Sequence, residues 1–305
     1  MSAVLSIPPS SSRAALGFGT ATFGREVAEP DALILLDHAF ARGIRHFDTA
    51  AAYSTGKAEE IVGAWLKTRP RVRTEITLAT KLLPPYTREA IDRGVTAALH
   101  RLGVEQIDVL YLHRWDPSAE TAECREALDA WVRRGIVRSL GASNTPLVAL
   151  QAALAAQTAA GLTRFSWLQN NLNYAVRDAS QSVRRACADA GVAVVTFSPL
   201  GAGFLTGKHA GGVVAGSRFA VAPAHGPIYF TPTGQARLAA LLAVAAQYDL
   251  PPARLALGWA IHRSPPVTVL IGGRRADQID QAFAAVDGVP PAALAALEAA
   301  HPDAD

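Results

Sequence analysis

A single (β/α)8 TIM barrel, an α/β fold taking up residues 1–305 as one domain, is the architecture this sequence predicts. Three observations carry that expectation. Eight short β-branched runs alternate with Ala/Leu-rich stretches of helical period. No Pro/Gly/Ser-rich linker divides the 305 residues, and half of them are hydrophobic, enough for one large core. Polar residues close successive apolar runs, as expected where parallel strands end on one rim.

The runs are AALGFG (14–19), IRHFD (44–48), EITLATK (75–81), IDVLYLH (107–113), IVRSLGAS (136–143), RFSWLQN (164–170), VAVVTFS (192–198) and VTVLIGG (267–273). Helices are expected near 31–42, 57–68, 87–101, 120–133, 146–159, 178–189, 233–247 and 276–286. Gly43 and Gly191 stand where a helix hands over to the next strand, the place for a left-handed cap. Residues 201–232 are rich in Gly and Pro and lack any period, so they predict an irregular, functional loop on the C-terminal face. PPARLALGWAIHRSP (251–265) predicts an extra helix before the last strand.

Composition excludes several classes. No apolar run approaches the ~18 residues of a membrane span, and the first residues lack a basic, then apolar, leader pattern. Cys124 and Cys187 are too few for a disulfide framework. These features predict a cytoplasmic protein without membrane contact. The net charge of +3 is scattered, and its densest cluster, RPRVR (69–73), reads as a solvated helix-to-strand connection; no nucleic-acid partner is expected. The eight histidines include no HExxH, so no metal is expected. GFGTATFG (17–24) fails the dinucleotide fingerprint, and GAGFLTGK (201–208) fails the P-loop spacing, with His209 where Ser or Thr belongs.

The chemistry concentrates on Asp48, Tyr53, Lys81 and His113, at or just beyond the ends of successive runs. Singly, each has a plain alternative: a helix N-cap, a loop aromatic, a solvated strand end, a rim histidine. Jointly, an acid, a phenol, an amine and an imidazole on one rim predict proton transfer. A phenol titrates near pH ~10, and a neighbouring ammonium should draw that value toward neutrality by stabilising the phenolate. Lys81 is expected to do this to Tyr53, held by Asp48, with His113 orienting a substrate oxygen or sharing the proton.

GIRHFDTAAAY, LATK, LYLHRWD, GASN, LQNNLNY and TFSPLGAGFLTGK, in that order over almost the whole chain, resemble the aldo-keto reductase superfamily. The resemblance implies an oxidoreductase that interconverts aldehydes or ketones with alcohols, using NADP(H), with NAD(H) the other choice. It carries the family's catalytic set onto Asp48, Tyr53, Lys81 and His113. Asp48 also counts among its cofactor contacts, as do Gly19, Thr20 and Ala21 after the first strand. Ser143, Asn144 and Gln169 match the residues that bond the nicotinamide amide, and Phe197 the aromatic stacked on its ring. Ser198, Pro199 and Leu200 match the pyrophosphate loop, continued by Gly201, Gly203, Lys208 and Arg218. Gly272, Arg274, Gln278 and Gln281 fill the adenosine frame, Arg274 facing the 2′-phosphate. Gln281 and Ala282 depart from the usual Glu and Asn, which leaves the choice of nucleotide open.

A substrate wall is expected from Phe23, Tyr53, His113, Trp115 and Tyr229, with Phe219 and Phe230 nearby. Aromatics there would equally serve as cover for the core. The expected partner is a small carbonyl compound; its identity and the oligomeric state are not written in the sequence. The rival reading is a nucleotide-binding regulatory barrel, resembling an ion-channel subunit, with little turnover.

Overall fold

The computed structural model describes residues 15–303. Residue 14 of the first expected strand, and both ends of the expected domain, lie outside the described residues. The first half of the chain runs β1 (Ala15–Gly19), α1 (Glu29–Ala41), β2 (His46–Asp48), α2 (Lys57–Thr68), α3 (Pro70–Glu75), β3 (Thr77–Leu82), α4 (Arg88–Leu102) and β4 (Ile107–Leu112). It continues with α5 (Ala122–Arg133), β5 (Val137–Ser143), α6 (Leu147–Ala159), β6 (Phe165–Asn171), α7 (Gln181–Asp189) and β7 (Ala193–Phe197). The remainder is α8 (Arg218–Val221), α9 (Gly226–Tyr229), α10 (Pro232–Gln247), α11 (Pro252–Ile261), β8 (Thr268–Ile271), α12 (Ala276–Asp287) and α13 (Pro291–Ala300). All eight strands pair in parallel with their neighbours, and β8 returns to β1 to close the barrel.

Local chemistry sets the element boundaries. Thr87 and Thr121 accept backbone N–H bonds from Ala90 and Cys124, capping α4 and α5. Thr231 does the same for Gly234 at α10, where Pro232 takes the first helical position. Gly43 and Gly191 adopt φ of 97° and 69°, the left-handed turn expected where a helix gives way to a strand.

Two apolar layers result. The larger one fills the space between barrel and helices, with Phe18, Phe47, Trp65 and Leu110 almost wholly buried. The smaller one plugs the barrel axis with Ala79, Val109, Tyr111, Trp167, Val195 and Leu270. Lys81, Tyr111, Gly141 and Trp167 stand in register across β3 to β6. This plug forms a floor beneath the rim, so polar groups above it are shut off from water on one side.

The structure differs from the sequence reading in four places. RPRVR does join a helix to a strand, with Pro70 and Arg71 exposed, but it is not irregular. It forms most of α3, with Val72 buried and Arg73 paired to the buried Asp108 at 2.8 Å. Residues 201–232 break into short helical turns held by aromatic contacts among Phe204, Phe219, Tyr229 and Phe230 at 4.9 to 6.1 Å between centroids. The helix expected from 178 starts at Gln181. Finally, α13 has no counterpart in the sequence reading. It is moored by Tyr174, whose hydroxyl donates to the Leu297 carbonyl at 2.9 Å, and beyond it Arg184 pairs with Asp303 at 2.9 Å.

Candidate active site

Asp48 ends β2, and its position is fixed through the backbone. Its carbonyl accepts from both the amide (3.0 Å) and the hydroxyl (3.1 Å) of Thr20, at the end of β1. Its carboxylate is 1% exposed and divided between two donors: one oxygen takes the Lys81 ammonium, the other the Gln169 amide at 2.8 Å. Lys81, in β3, also donates to the Thr49 carbonyl at 2.9 Å and to the Tyr53 hydroxyl at 3.2 Å. All three directions available to an ammonium are used, so its orientation is set. Tyr53 sits on a one-turn 3-10 helix beyond β2, and the His113 ring stands edge-on to it, centroids 5.8 Å apart. The four residues singled out in the sequence therefore converge on the C-terminal rim.

Electrostatics within this group depart from the sequence reading in one respect. Burial raises the pKa of Tyr53 more than the Lys81 charge lowers it, and the Asp48 charge adds to the rise. The phenol thus lies above its ordinary value, not drawn toward neutrality, because the plugged barrel withholds the water that would solvate a phenolate. Burial alone would drive the Lys81 ammonium down. The Asp48 carboxylate and the Tyr53 hydroxyl oppose this and leave it raised. His113 is lowered to about 3 by burial first, then by the charges of Lys81 and Arg114, so its ring is neutral across the physiological range. Its Nδ1 is buried without a hydrogen-bond partner.

The expected cofactor contacts lie along the rim. Ser143 ends β5 with its hydroxyl on the Gln169 carbonyl at 2.8 Å, and Asn144 holds the His113 carbonyl at 2.8 Å. Asn144 and Ser198 have φ of 50° and 56°, backbone conformations that cost most side chains energy and that recur at functional sites. Phe197 ends β7 half-buried over the barrel plug. Beyond Pro199 and Leu200, positive φ at Gly201, Ala202 and Gly203 curls the chain into a concave turn of the kind that receives anions. A Cβ on Gly203 would come within 3.2 Å of the Lys208 side chain, so glycine keeps that turn open. Gly272 lets the chain leaving β8 approach β1: a Cβ there would stand 3.1 Å from the carbonyl of Gly19. Ala21 lies half-buried in the turn after β1.

Lys208 and Arg274 are neighbouring exposed cations. The pKa of Lys208 is lowered by burial and then by the Arg274 charge, and among the described residues neither forms a salt bridge. Arg274 donates to the Gly216 carbonyl at 3.0 Å, tying the β8 loop to the 207–217 segment.

Other expected contacts have different occupations. Arg218 pairs with Glu26 at 2.6 Å, which joins α8 to the turn after β1. The Gln278 side chain caps α12, its Oε1 accepting from the backbone amides of Arg274 and Arg275. Gln281 is solvent-exposed on α12. Phe23 is 0% exposed, its ring against Phe18, so it belongs to the core and offers no open wall. Tyr229 is likewise buried, its hydroxyl accepting from Asn171 at 3.2 Å. Trp115 is half-buried and bonds Glu120 at 2.9 Å, the wall residue that remains beside Tyr53 and His113. Sequence reasoning missed Thr49, which acts through a carbonyl and carries no side-chain signal, and Glu26, whose partner is 192 residues away. Among the described residues no group of three or more His, Cys, Asp or Glu could hold a metal ion, and no single helix is long and apolar enough to cross a membrane.

Barrel and rim together point to a class, the (β/α)8 oxidoreductases. Known proteins define it further. The aldo/keto reductase family matches residues 15–293, and the chain belongs to that family. An aldo-keto reductase of Fusarium vanettenii is 30% identical over 292 residues, 85% of this chain and 78% of its own length. Norsolorinic acid reductase B of Dothistroma septosporum is 32% identical over 206 residues, 62% of this chain and 52% of that protein. A probable voltage-gated potassium channel subunit beta of Arabidopsis thaliana is 27% identical over 288 residues, 90% of this chain and 88% of its own. Family and reductase-named relatives support an oxidoreductase.

Proposed function

We propose that the chain reduces an aldehyde or ketone to an alcohol with NADPH, and runs the reverse reaction when alcohol and NADP+ are in excess. The observation that carries this reading is the single Lys81 ammonium bonded at once to the Asp48 carboxylate and the Tyr53 hydroxyl. Bound nicotinamide cofactor supplies the hydride to the carbonyl carbon. Tyr53 delivers the proton to the carbonyl oxygen, and the phenolate it leaves is stabilised by Lys81. Because burial raises the Tyr53 pKa, the phenol stays protonated at neutral pH and is ready to act as an acid. Neutral His113, its ring edge-on to Tyr53, suits the task of orienting that oxygen. The curled 198–203 backbone and the neighbouring cations Lys208 and Arg274, which have no acidic partner among the described residues, suit a diphosphate and a 2′-phosphate.

NADPH oxidation across a panel of carbonyl compounds tests the reading, with Tyr53→Phe as the control. The variant should lose ~10² to 10⁴ in kcat and keep its nucleotide affinity. If it retains more than about a tenth of the parent turnover, another residue donates the proton. The similarity to a channel beta subunit favours a second reading, a barrel that holds nucleotide and regulates a partner. Tight NADPH binding with no turnover on any carbonyl would support that reading instead.

A further inference from the structure

Below the rim, Tyr111 presents a phenol that the reaction just described does not use. Its ring is 0% exposed, in register with Lys81 on one side and Gly141 on the other. A Cβ at Gly141 would lie 2.4 Å from the ring's Cδ1 and Cε1, so the ring crosses the space above β5 and extends toward β6. There Gln169 stands two residues beyond Trp167, the register partner of Gly141. The Tyr111 hydroxyl is buried without a hydrogen-bond partner. Its register partner Lys81 holds one Asp48 oxygen and Gln169 holds the other, so the phenol stands beside that bond, and the Asp48 charge and the Gln169 side chain both act on it. Burying an O–H without a partner is unfavourable, and a good partner is one alternative arrangement away.

We propose that Tyr111 is a positioning residue: its hydroxyl replaces Gln169 as donor to Asp48 when the Gln169 amide turns to a bound nicotinamide. The inference rests on the reductase reading, in which Gln169 contacts the nicotinamide carboxamide. Asp48 has two acceptor oxygens and, with Lys81 on one of them, depends on Gln169 for the other. If Gln169 leaves, that oxygen is stripped of its donor inside a closed barrel, which opposes nicotinamide binding. The Tyr111 O–H removes the conflict, since a donor is already in place and unspent. No covalent bond changes; one hydrogen bond is exchanged for another.

Calorimetric titration with two probes tests this, NADPH and 2′-phospho-ADP-ribose, which lacks the nicotinamide. Tyr111→Phe keeps the ring over Gly141 and removes only the hydroxyl. It should bind NADPH about three- to ten-fold more weakly and the truncated probe as the parent does. Gly141→Ala, which displaces the ring, should reproduce the same split. Undiminished NADPH affinity in Tyr111→Phe, or an equal loss for both probes, overturns the inference and leaves the reductase reading standing. Failure of the unaltered chain to bind either probe overturns both.

Discussion

Lys81 shows how one side chain does two separable jobs. Its ammonium neutralises a fully buried carboxylate, and it faces the phenol that transfers the proton. Lys81→Met therefore strips Asp48 of its counter-charge, and breaking a buried pair in this way costs about 3 to 5 kcal/mol. Turnover should fall as well, and the alkaline limb of the kcat profile for reduction should move upward, because Tyr53 loses the charge that lowers its pKa. Asp48→Asn combined with Lys81→Met removes the stranded charge and should recover most of the stability without recovering turnover. Urea unfolding and pH–rate profiles of both variants check this; an unmoved limb in Lys81→Met would reduce the lysine to a structural role. The identity of these residues was legible in the sequence because each sits at or just past a strand end. Their electrostatic balance was not, because the dominant cause for Tyr53 is burial, which depends on a plug assembled from separate strands: Ala79 of β3, Val109 and Tyr111 of β4, Trp167 of β6, Val195 of β7 and Leu270 of β8.

Strands were the most legible elements. Short apolar runs bounded by Gly and charged residues leave little freedom in register once eight of them must close a barrel. Helices whose order comes from distant contacts were the least legible. PPAALAALEAA lacks a polar face to mark its period, and α13 is held from distant elements, by Tyr174 from beyond β6 and by Trp259 and Arg263 on its Glu298. The turns in residues 201–232 depend on an aromatic cluster that no local period encodes. The loop after β8 shows the same difference between composition and placement, since Arg274 and Arg275 are alike in chemistry and only the family's spacing favours Arg274 in the sequence. In the structure Arg275 is committed to Asp277 at 2.8 Å, whereas Arg274 stands beside Lys208 with no acidic partner among the described residues. A charge-assisted bond from a guanidinium to a phosphate contributes about 1.5 to 3 kcal/mol. Arg274→Ala should accordingly weaken NADPH binding by roughly ten- to a hundred-fold, leave NADH nearly unchanged, and exceed any effect of Arg275→Ala. Equal NADH and NADPH dissociation constants in the parent would remove the basis for this assignment.

On the scale of the whole molecule, the closed barrel makes stability depend on acid. His46, two residues before Asp48 in β2, is 5% exposed, with neither ring nitrogen bonded and its ring 5.8 Å from Trp167. Burial lowers its pKa from 6.5 to about 4, with the Asp48 and Asp108 charges raising it and Lys81 lowering it by smaller amounts. Above pH 6.5 the ring is neutral in the folded and the unfolded chain, so its titration costs nothing. As pH falls below that value the unfolded chain takes up a proton that the folded barrel refuses, until the folded value near 4 is reached. Stability is thus fully present above the unfolded pKa and is lost through this window, by about 3 kcal/mol for His46 at 1.36 kcal/mol per pKa unit. His113, lowered to about 3, adds a loss of the same sign that begins at the same unfolded pKa and continues further down. Unfolding free energies from urea titrations between about pH 7 and pH 4 should fall for the parent, and by about 3 kcal/mol less for His46→Gln, which retains a polar side chain but cannot titrate. If parent and variant lose stability in parallel, the acid sensitivity of the barrel arises elsewhere, and His46 is accommodated in the folded state in its charged form.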